Sequence, residues 1–270
     1  MRRAPAPVRL RDELVRVLSP RGASPAAMAA KKLVGRFYPS DGLVGTIVHR
    51  RDLPLPPRTW PAIGLAFVGF ATPVIGFVEL AERITDGAKL PFDRPVMMWL
   101  RRQHSPATTR AMKLVTNLGG VYAVPAFALA SAAYLYRFRH SRRPAALLTV
   151  SLVGSTAINS ALKALYKRSR PAYFQHIVQE KSYSFPSGHA MASAALAACA
   201  CVIAWPSPWR YPVLAASTVY VPTIGVTRMY LGVHFPSDIL AGWCVSTAWV
   251  GEVATIMWVA DRLDQTRPEV

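Results

Sequence analysis

Arg137-Phe-Arg-His-Ser-Arg-Arg143, the apolar run from Ala145 to about Tyr166, and then Lys167-Arg-Ser-Arg170-Pro171 decide the fold. A helix needs about 20 mostly apolar residues to cross the hydrocarbon core of a bilayer. The run supplies that length with one charge, Lys163, near its end. The dense positive charge before it marks the cytoplasmic side, because loops rich in Lys and Arg are retained there. This span therefore leads from the cytoplasm to the opposite face.

Composition agrees with that reading. The 270-residue chain is 52% hydrophobic and only 17% charged, with mean hydropathy +0.22, too apolar for an ordinary soluble domain. Its net charge of +18 largely flanks apolar runs, where it orients helices and attracts anionic headgroups, so nucleic acid is not the expected partner. Five more spans are predicted: Trp60 to about Leu80, Leu118 to about Tyr136, Ala190 to about Trp205, Val213 to about Leu231, and Ile239 to about Ala260. Between the first two, Lys89 to Arg110 mixes Phe92, Val96, Met97, Met98, Trp99 and Leu100 with Arg94, Arg101 and Arg102. That mixture predicts an amphipathic helix lying along the membrane surface.

The expected fold is all-α, a polytopic membrane protein with six transmembrane helices in a bundle plus one interfacial amphipathic helix. Residues 1–59 form a basic cytoplasmic segment, with a short amphipathic helix at Leu10–Leu18 and no cleavable signal. Its expected partners are anionic lipid headgroups. Residues 60–260 form the membrane domain and 261–270 a cytoplasmic tail. Six crossings put both termini in the cytoplasm, and in a bacterium helical spans rather than a barrel mean the inner membrane. Cys199, Cys201 and Cys244 fall inside spans with no metal or redox spacing and read as packing residues.

Counting crossings, the loops after the first, third and fifth spans lie outside; the first carries the surface segment, and the third and fifth carry three clusters. These are Lys163-Ala-Leu-Tyr-Lys-Arg-Ser-Arg170-Pro171, Pro186-Ser187-Gly188-His189, and Thr227-Arg228-Met-Tyr-Leu-Gly-Val-His234-Phe-Pro-Ser-Asp238. Lys163, Arg170 and Arg228 have only Glu180 and Asp238 as nearby acids, so an external tetrahedral anion suits them. Ser187 and Gly188, just before a helix, aim backbone amides at the same anion. His234 and Asp238 are four apart and share a helix face, so the carboxylate selects the tautomer that leaves the other imidazole nitrogen free to attack. His189 then serves as general acid, and later as base toward water. No carboxylate cluster with metal-ligand character accompanies them, so no metal or cofactor is predicted. Arg168 is expected to snorkel toward headgroups. His49, His104, His140 and His176 lack a matching partner pattern and are expected at surfaces or interfaces; Tyr173 and His176 lie in the loop between the first two clusters.

The three clusters, in order and with these spacings, resemble the pattern of the type 2 phosphatidic acid phosphatase superfamily. The single departure is Thr227, where that pattern has Ser, and Thr keeps the hydroxyl. The resemblance covers roughly residues 60 to 260. It implies catalytic roles for His234 as phosphohistidine, Asp238 as its orienter and His189 as proton donor, with Lys163, Arg170, Ser187, Gly188 and Arg228 binding phosphate. It implies a metal-independent membrane lipid phosphatase whose substrate is an isoprenyl diphosphate, phosphatidylglycerol phosphate, phosphatidic acid or a phosphorylated glycolipid, met at the extracytoplasmic face. Phosphate transfer to a lipid acceptor, or a non-enzymatic phospholipid carrier, are the alternative readings. A carrier needs the cations but not the His234–Asp238 pair.

Overall fold

The computed structural model describes residues 60–88, 90–120, 122–138 and 142–265, all within the compact unit Arg58–Val270. The expected helix at 10–18, the rest of 1–59 and the tail from 266 lie outside the described residues. All regular structure among the described residues is helical: α1 (Trp60–Thr85), α2 (Asp93–Arg102), α3 (Pro106–Thr116), α4 (Ala123–Phe138), α5 (Arg142–Tyr166), α6 (Gly188–Ala204), α7 (Arg210–Tyr230) and α8 (Pro236–Gln265).

The bundle is built around α6. Its sequence, GHAMASAALAACACVIA, is mostly small side chains, and Ala190, Ala194, Ala195 and Cys199 are buried. Small residues let helix axes approach closely in an apolar solvent, where packing rather than water exclusion holds helices together. Accordingly α5, α7 and α8 all pack on α6. One core joins Ala132 of α4, Leu147 and Leu148 of α5, Ala195 and Cys199 of α6, and Val250 and Val253 of α8. Gly225 serves the neighbouring contact of α7 with α8. A Cβ there would stand 2.7 Å from Ile239 Cγ2 and 2.9 Å from Trp243 Cζ2.

The outside of the bundle carries large apolar side chains. Ile75, Leu129, Val153, Val219 and Ile256 are exposed on five different long helices, a distribution that water would penalise and lipid does not. Arg142–Tyr166 and the Pro236–Asp261 part of α8 are each long and apolar enough to span a membrane. Pro106–Gly119 and Ala123–Arg137 form a third candidate if their 42° bend is one broken span. Against six expected spans, length and composition therefore support two or three among the described residues. α4 and α6 have 16 and 17 residues, about 24–26 Å at 1.5 Å per residue, less than the roughly 30 Å core. The chain is a multi-pass membrane protein.

The single surface helix expected over Lys89–Arg110 is two helices. Ser105 caps α3 through a reciprocal box with Thr108, and Pro106 opens that helix, so α2 has to end before it. α2 buries Asp93, Met97 and Leu100 and packs on α7 and α8, while Trp99 points outward.

Chain direction brings the functional candidates to one pole. α5 and α7 end where α6 and α8 begin, and both exits turn sharply: Lys167 takes φ 45° and Gly232 takes φ 79°. Phe174 lies against the Gly232 turn, with Cε2 2.8 Å from where a Cβ would be. At the opposite pole Arg143 pairs with Asp261 at 2.5 Å, tying the start of α5 to the end of α8.

Gly225→Leu should lower stability by about 1–3 kcal/mol, as overpacking a filled helix contact does. A thermal scan of the purified protein in detergent checks this. An unchanged midpoint would mean that α7 and α8 do not meet at Gly225.

Candidate active site

Asp238 sits in the first turn of α8, where the helix dipole favours a carboxylate. Its side chain has no exposed surface, so its lone pairs must be filled from within the protein. Oδ2 accepts from the Phe235 amide at 2.9 Å and from the Ser184 hydroxyl, and faces His234 Nδ1 at 3.3 Å. Oδ1 accepts from Arg168 Nη1 at 2.5 Å. On the other side of the imidazole, Arg170 Nη1 lies 3.3 Å from Nε2. A guanidinium only donates, so Nε2 is the acceptor and the imidazole proton belongs on Nδ1, facing Asp238. The Nε2 lone pair thus points toward the cations.

Those cations are held by the segment from 167 to 187, which folds back over the pole. Arg170 donates to Val233 O at 2.7 Å and to Ser182 O at 2.9 Å. Lys163 Nζ donates to Ser182 Oγ at 3.2 Å and to Tyr183 O. Arg228, buried at the end of α7, donates to Thr116 Oγ1 at 3.1 Å and to Glu180. Glu180 also stands 3.9 Å from Arg170. Among the described residues, Arg228 Nε is buried with no hydrogen-bond partner. Carbonyls and one carboxylate therefore offset three converging positive charges, and they leave one guanidinium N–H unmatched.

At the start of α6, the Ser187 hydroxyl caps the helix at Ala190 N, while its amide donates to Asp238 O at 3.1 Å. The amides of Gly188 and His189 are first-turn donors with no earlier carbonyl in the helix to bond. His189 lies within electrostatic reach of Arg228, Glu180, Lys163 and Arg170. Its charge is also felt at His234. All eight candidate residues from the sequence therefore converge on this pole.

Several of their partners were not anticipated. Glu180 is the internal partner of Arg228, and its spacing gave no sign that the chain folds back there. Thr116, Ser182 and Ser184 belong to no recognisable pattern. The expectation for Arg168 is overturned: instead of reaching for headgroups it is 15% exposed and pairs with both Asp93 and Asp238. An isolated arginine near a helix end snorkels, but here two buried carboxylates give it a better site than water does. His176 Nε2 meets Pro171 O at 2.6 Å, and Tyr173 packs edge-on against Phe235, so both brace the loop. Cys199, Cys201 and Cys244 are free thiols. Among the described residues, no group of three His, Cys, Asp or Glu residues is placed to hold a metal ion.

The electrostatics follow from burial and neighbours. Burial, then the charges of Arg170, Arg228 and Lys163, hold the His234 imidazole well below its usual titration range. For Glu180, burial pushes the carboxyl up, but Arg228 and then Arg170 outweigh it and keep the group ionised below its ordinary value. A neutral imidazole backed by a buried carboxylate and facing three cations, within an apolar-skinned helical bundle, defines a membrane protein with an anion-attracting histidine site.

Comparison with known proteins gives that class its family. The model of the PAP2 superfamily matches residues 144–262. The chain is 30% identical over 176 residues to phosphatidylglycerophosphatase B of Bacillus subtilis, covering 62% of this chain and 83% of that protein. It is 28% identical over 123 residues to undecaprenyl-diphosphatase of Sulfolobus acidocaldarius, covering 44% of this chain and 57% of that one. The fold is similar to the crystal structure of a transmembrane PAP2-type phosphatidylglycerolphosphate phosphatase from Bacillus subtilis. That match has a TM-score of 0.64 and 22% identity, over 74% of this chain and 100% of the other. Aquifex aeolicus LpxE matches with a TM-score of 0.51 and 20% identity, over 62% and 97% of the two chains. The chain belongs to the PAP2 superfamily, and it is a membrane phosphatase, a hydrolase of phosphoric esters.

The depressed His234 titration sets an expectation for pH. Only the neutral imidazole is nucleophilic, and a lowered value delays protonation to more acid solution. On its acid side, the kcat/KM for phosphate release should therefore pass through pH 6.5, the ordinary imidazole value, without loss and fall only at lower pH. An acid-side half-loss at or above 6.5 would show that the essential base is not held as His234 is here.

Proposed function

We propose that the protein removes a phosphate group from a membrane lipid through a phosphohistidine on His234. The observation that carries this reading is the imidazole itself: Nδ1 faces Asp238 at 3.3 Å and Nε2 faces Arg170 at 3.3 Å. The Nε2 lone pair attacks phosphorus, and a P–N bond forms as the bond to the leaving oxygen breaks. The leaving oxygen takes the electron pair and a proton from His189. Water then attacks phosphorus, gives its proton to His189, and the P–N electrons return to Nε2. For a monoester the products are the lipid alcohol and inorganic phosphate; for a diphosphate they are the lipid monophosphate and inorganic phosphate.

Charge on the equatorial oxygens meets Lys163, Arg170 and Arg228, whose unmatched Nε supplies a donor, and the first-turn amides of Gly188 and His189. Ser187 contributes by capping α6, which keeps those amides aimed. No step needs a metal. The substrate is a lipid phosphomonoester or diphosphate, in the range from phosphatidylglycerol phosphate and phosphatidic acid to isoprenyl diphosphates and phosphorylated glycolipids. The names of the two relatives fall within that range.

The same reading assigns six crossings to α1, the α3–α4 pair, α5, α6, α7 and α8, with α2 lying in the interface. The basic residues 137–143 then face the cytoplasm with both termini, and the site opens on the extracytoplasmic side of an inner membrane. Residues 60–260 make up the phosphatase domain, 1–59 bind anionic headgroups, and 261–270 form the tail. An impermeant thiol reagent on intact cells should label Tyr173→Cys and spare Arg143→Cys; the reverse pattern overturns this orientation.

Phosphate release from a panel of lipid phosphates, by purified protein in detergent with excess chelator, tests the reaction. Release from at least one lipid class, inhibited by vanadate, is expected. His234→Asn should abolish turnover while binding of the lipid phosphate persists. Full turnover in that variant would refute the phosphohistidine route. Binding without release in the wild type would favour a carrier, and release only with a lipid acceptor would favour transfer.

A further inference from the structure

We infer that Arg168 and Asp93 are positioning residues for the reaction, forming a buried relay that holds the Asp238 carboxylate against His234 and couples it to α2. The inference rests on the reading above in which His234 is the nucleophile. Arg168 falls among the residues between Lys163 and Arg170, and Asp93 lies outside all three clusters.

The geometry is continuous. Arg168 Nη1 donates to Asp238 Oδ1 at 2.5 Å and to Ser237 Oγ at 2.8 Å, and Nη2 donates to Asp93 Oδ2 at 3.0 Å. Asp93 accepts in turn from the Ser237 amide at 3.0 Å and the Ser237 hydroxyl at 2.7 Å. The Arg168 guanidinium lies over the Phe235 ring, 4.1 Å from its centroid, which fixes its plane. Asp93 and Asp238 are 3% and 0% exposed. Arg168 thus bridges two buried carboxylates from α2 and α8, and occupies the Asp238 oxygen that His234 does not face.

Charge balance gives the relay its function. The groups acting on Asp238 are Lys163 from α5, Arg168 and Arg170 from the following loop, His234 from the α7–α8 turn, and Asp93 across Arg168 from α2. Lys163 and Arg170 are committed to loop carbonyls and the Nε2 side of the imidazole. Arg168 is the cation in direct contact with Asp238. Without it, two carboxylates share one buried site, and such a pair takes up a proton rather than carry both charges. A protonated Asp238 no longer holds the proton on His234 Nδ1, nor does it stabilise the charge the imidazole carries as phosphohistidine. Arg168 does not touch the Nε2 side, so its loss acts on turnover rather than on phosphate binding.

The test is a double-mutant cycle in the phosphate-release assay, with wild type and His234→Asn alongside. Arg168→Met should lower kcat about 10–100-fold, in the range found for residues that orient a functional group. KM should stay within about threefold, and the acid limb of kcat should move to higher pH. Arg168→Met combined with Asp93→Asn removes one of the two competing carboxylates. It should recover at least part of the lost kcat and move the limb back. A purely structural role predicts the opposite, a double variant no better than Arg168→Met. That result, or a wild-type kcat and pH profile in Arg168→Met, overturns the relay. Should Arg168→Met not survive extraction, Asp93→Asn alone decides: kcat lowered at least threefold at constant KM supports the relay, and wild-type kcat rejects it. If instead wild type releases no phosphate, or His234→Asn turns over normally, the underlying reaction has failed, and the two failures are told apart.

Discussion

A carboxylate with no exposed surface, set in the first turn of an apolar helix, is the constraint on which this structure depends. Burying the Asp238 charge is unfavourable unless its lone pairs are filled, and breaking such a buried pair costs about 3–5 kcal/mol. By contrast, the more exposed Arg143–Asp261 pair belongs to a class of ion pairs worth about 0–1 kcal/mol. The donors that meet Asp238 come from far apart in the chain: Arg168 and Ser184 from one loop, the Phe235 amide and His234 from another. Satisfying one carboxylate therefore fixes where both loops run. Asp93 extends the requirement to α2, so a helix expected only at the surface is anchored into the centre.

The second constraint is of opposite sign. Three cations meet at one pole, and like charges converge there only if something offsets them. Backbone oxygens of Ser182, Tyr183 and Val233 and the carboxylate of Glu180 do so. Because these acceptors hold the side-chain nitrogens of Lys163, Arg170 and Arg228, the protein itself arranges the cations. Preorganised charge of this kind needs no rearrangement during reaction, which is why it stabilises a transition state better than water does. Burial, with the same field behind it, keeps the His234 imidazole neutral.

Much of this was legible in the residues themselves. The apolar runs from Ala145, Ala190, Val213 and Ile239 became α5 to α8 with ends shifted by a few residues, because a lipid solvent requires each segment to satisfy its own backbone. The spacing of His234 and Asp238 was enough to pair them, since four residues is one helical turn and the pair is local. Less visible was the break between α2 and α3. It rests on the Ser105–Thr108 cap and Pro106, a local signal inside a stretch whose charge pattern suggested one helix. The 16 and 17 residues of α4 and α6 likewise fall short of a full span, although their composition is apolar.

What the sequence alone determined, then, is carried by local chemistry: an apolar solvent for the chain, the order of the helices α5 to α8, the charge of the loops, and the identity of the groups at one pole. What only the tertiary structure decided is which charge meets which. Arg168 and Arg170 are two residues apart and look alike in the sequence, yet one braces Asp238 and the other faces the His234 lone pair. Glu180 found Arg228 across 48 positions, and Asp93 found Arg168 across 75. Charges inside a low-dielectric bundle choose partners by distance and desolvation, and both are set by how helices pack rather than by their separation along the chain.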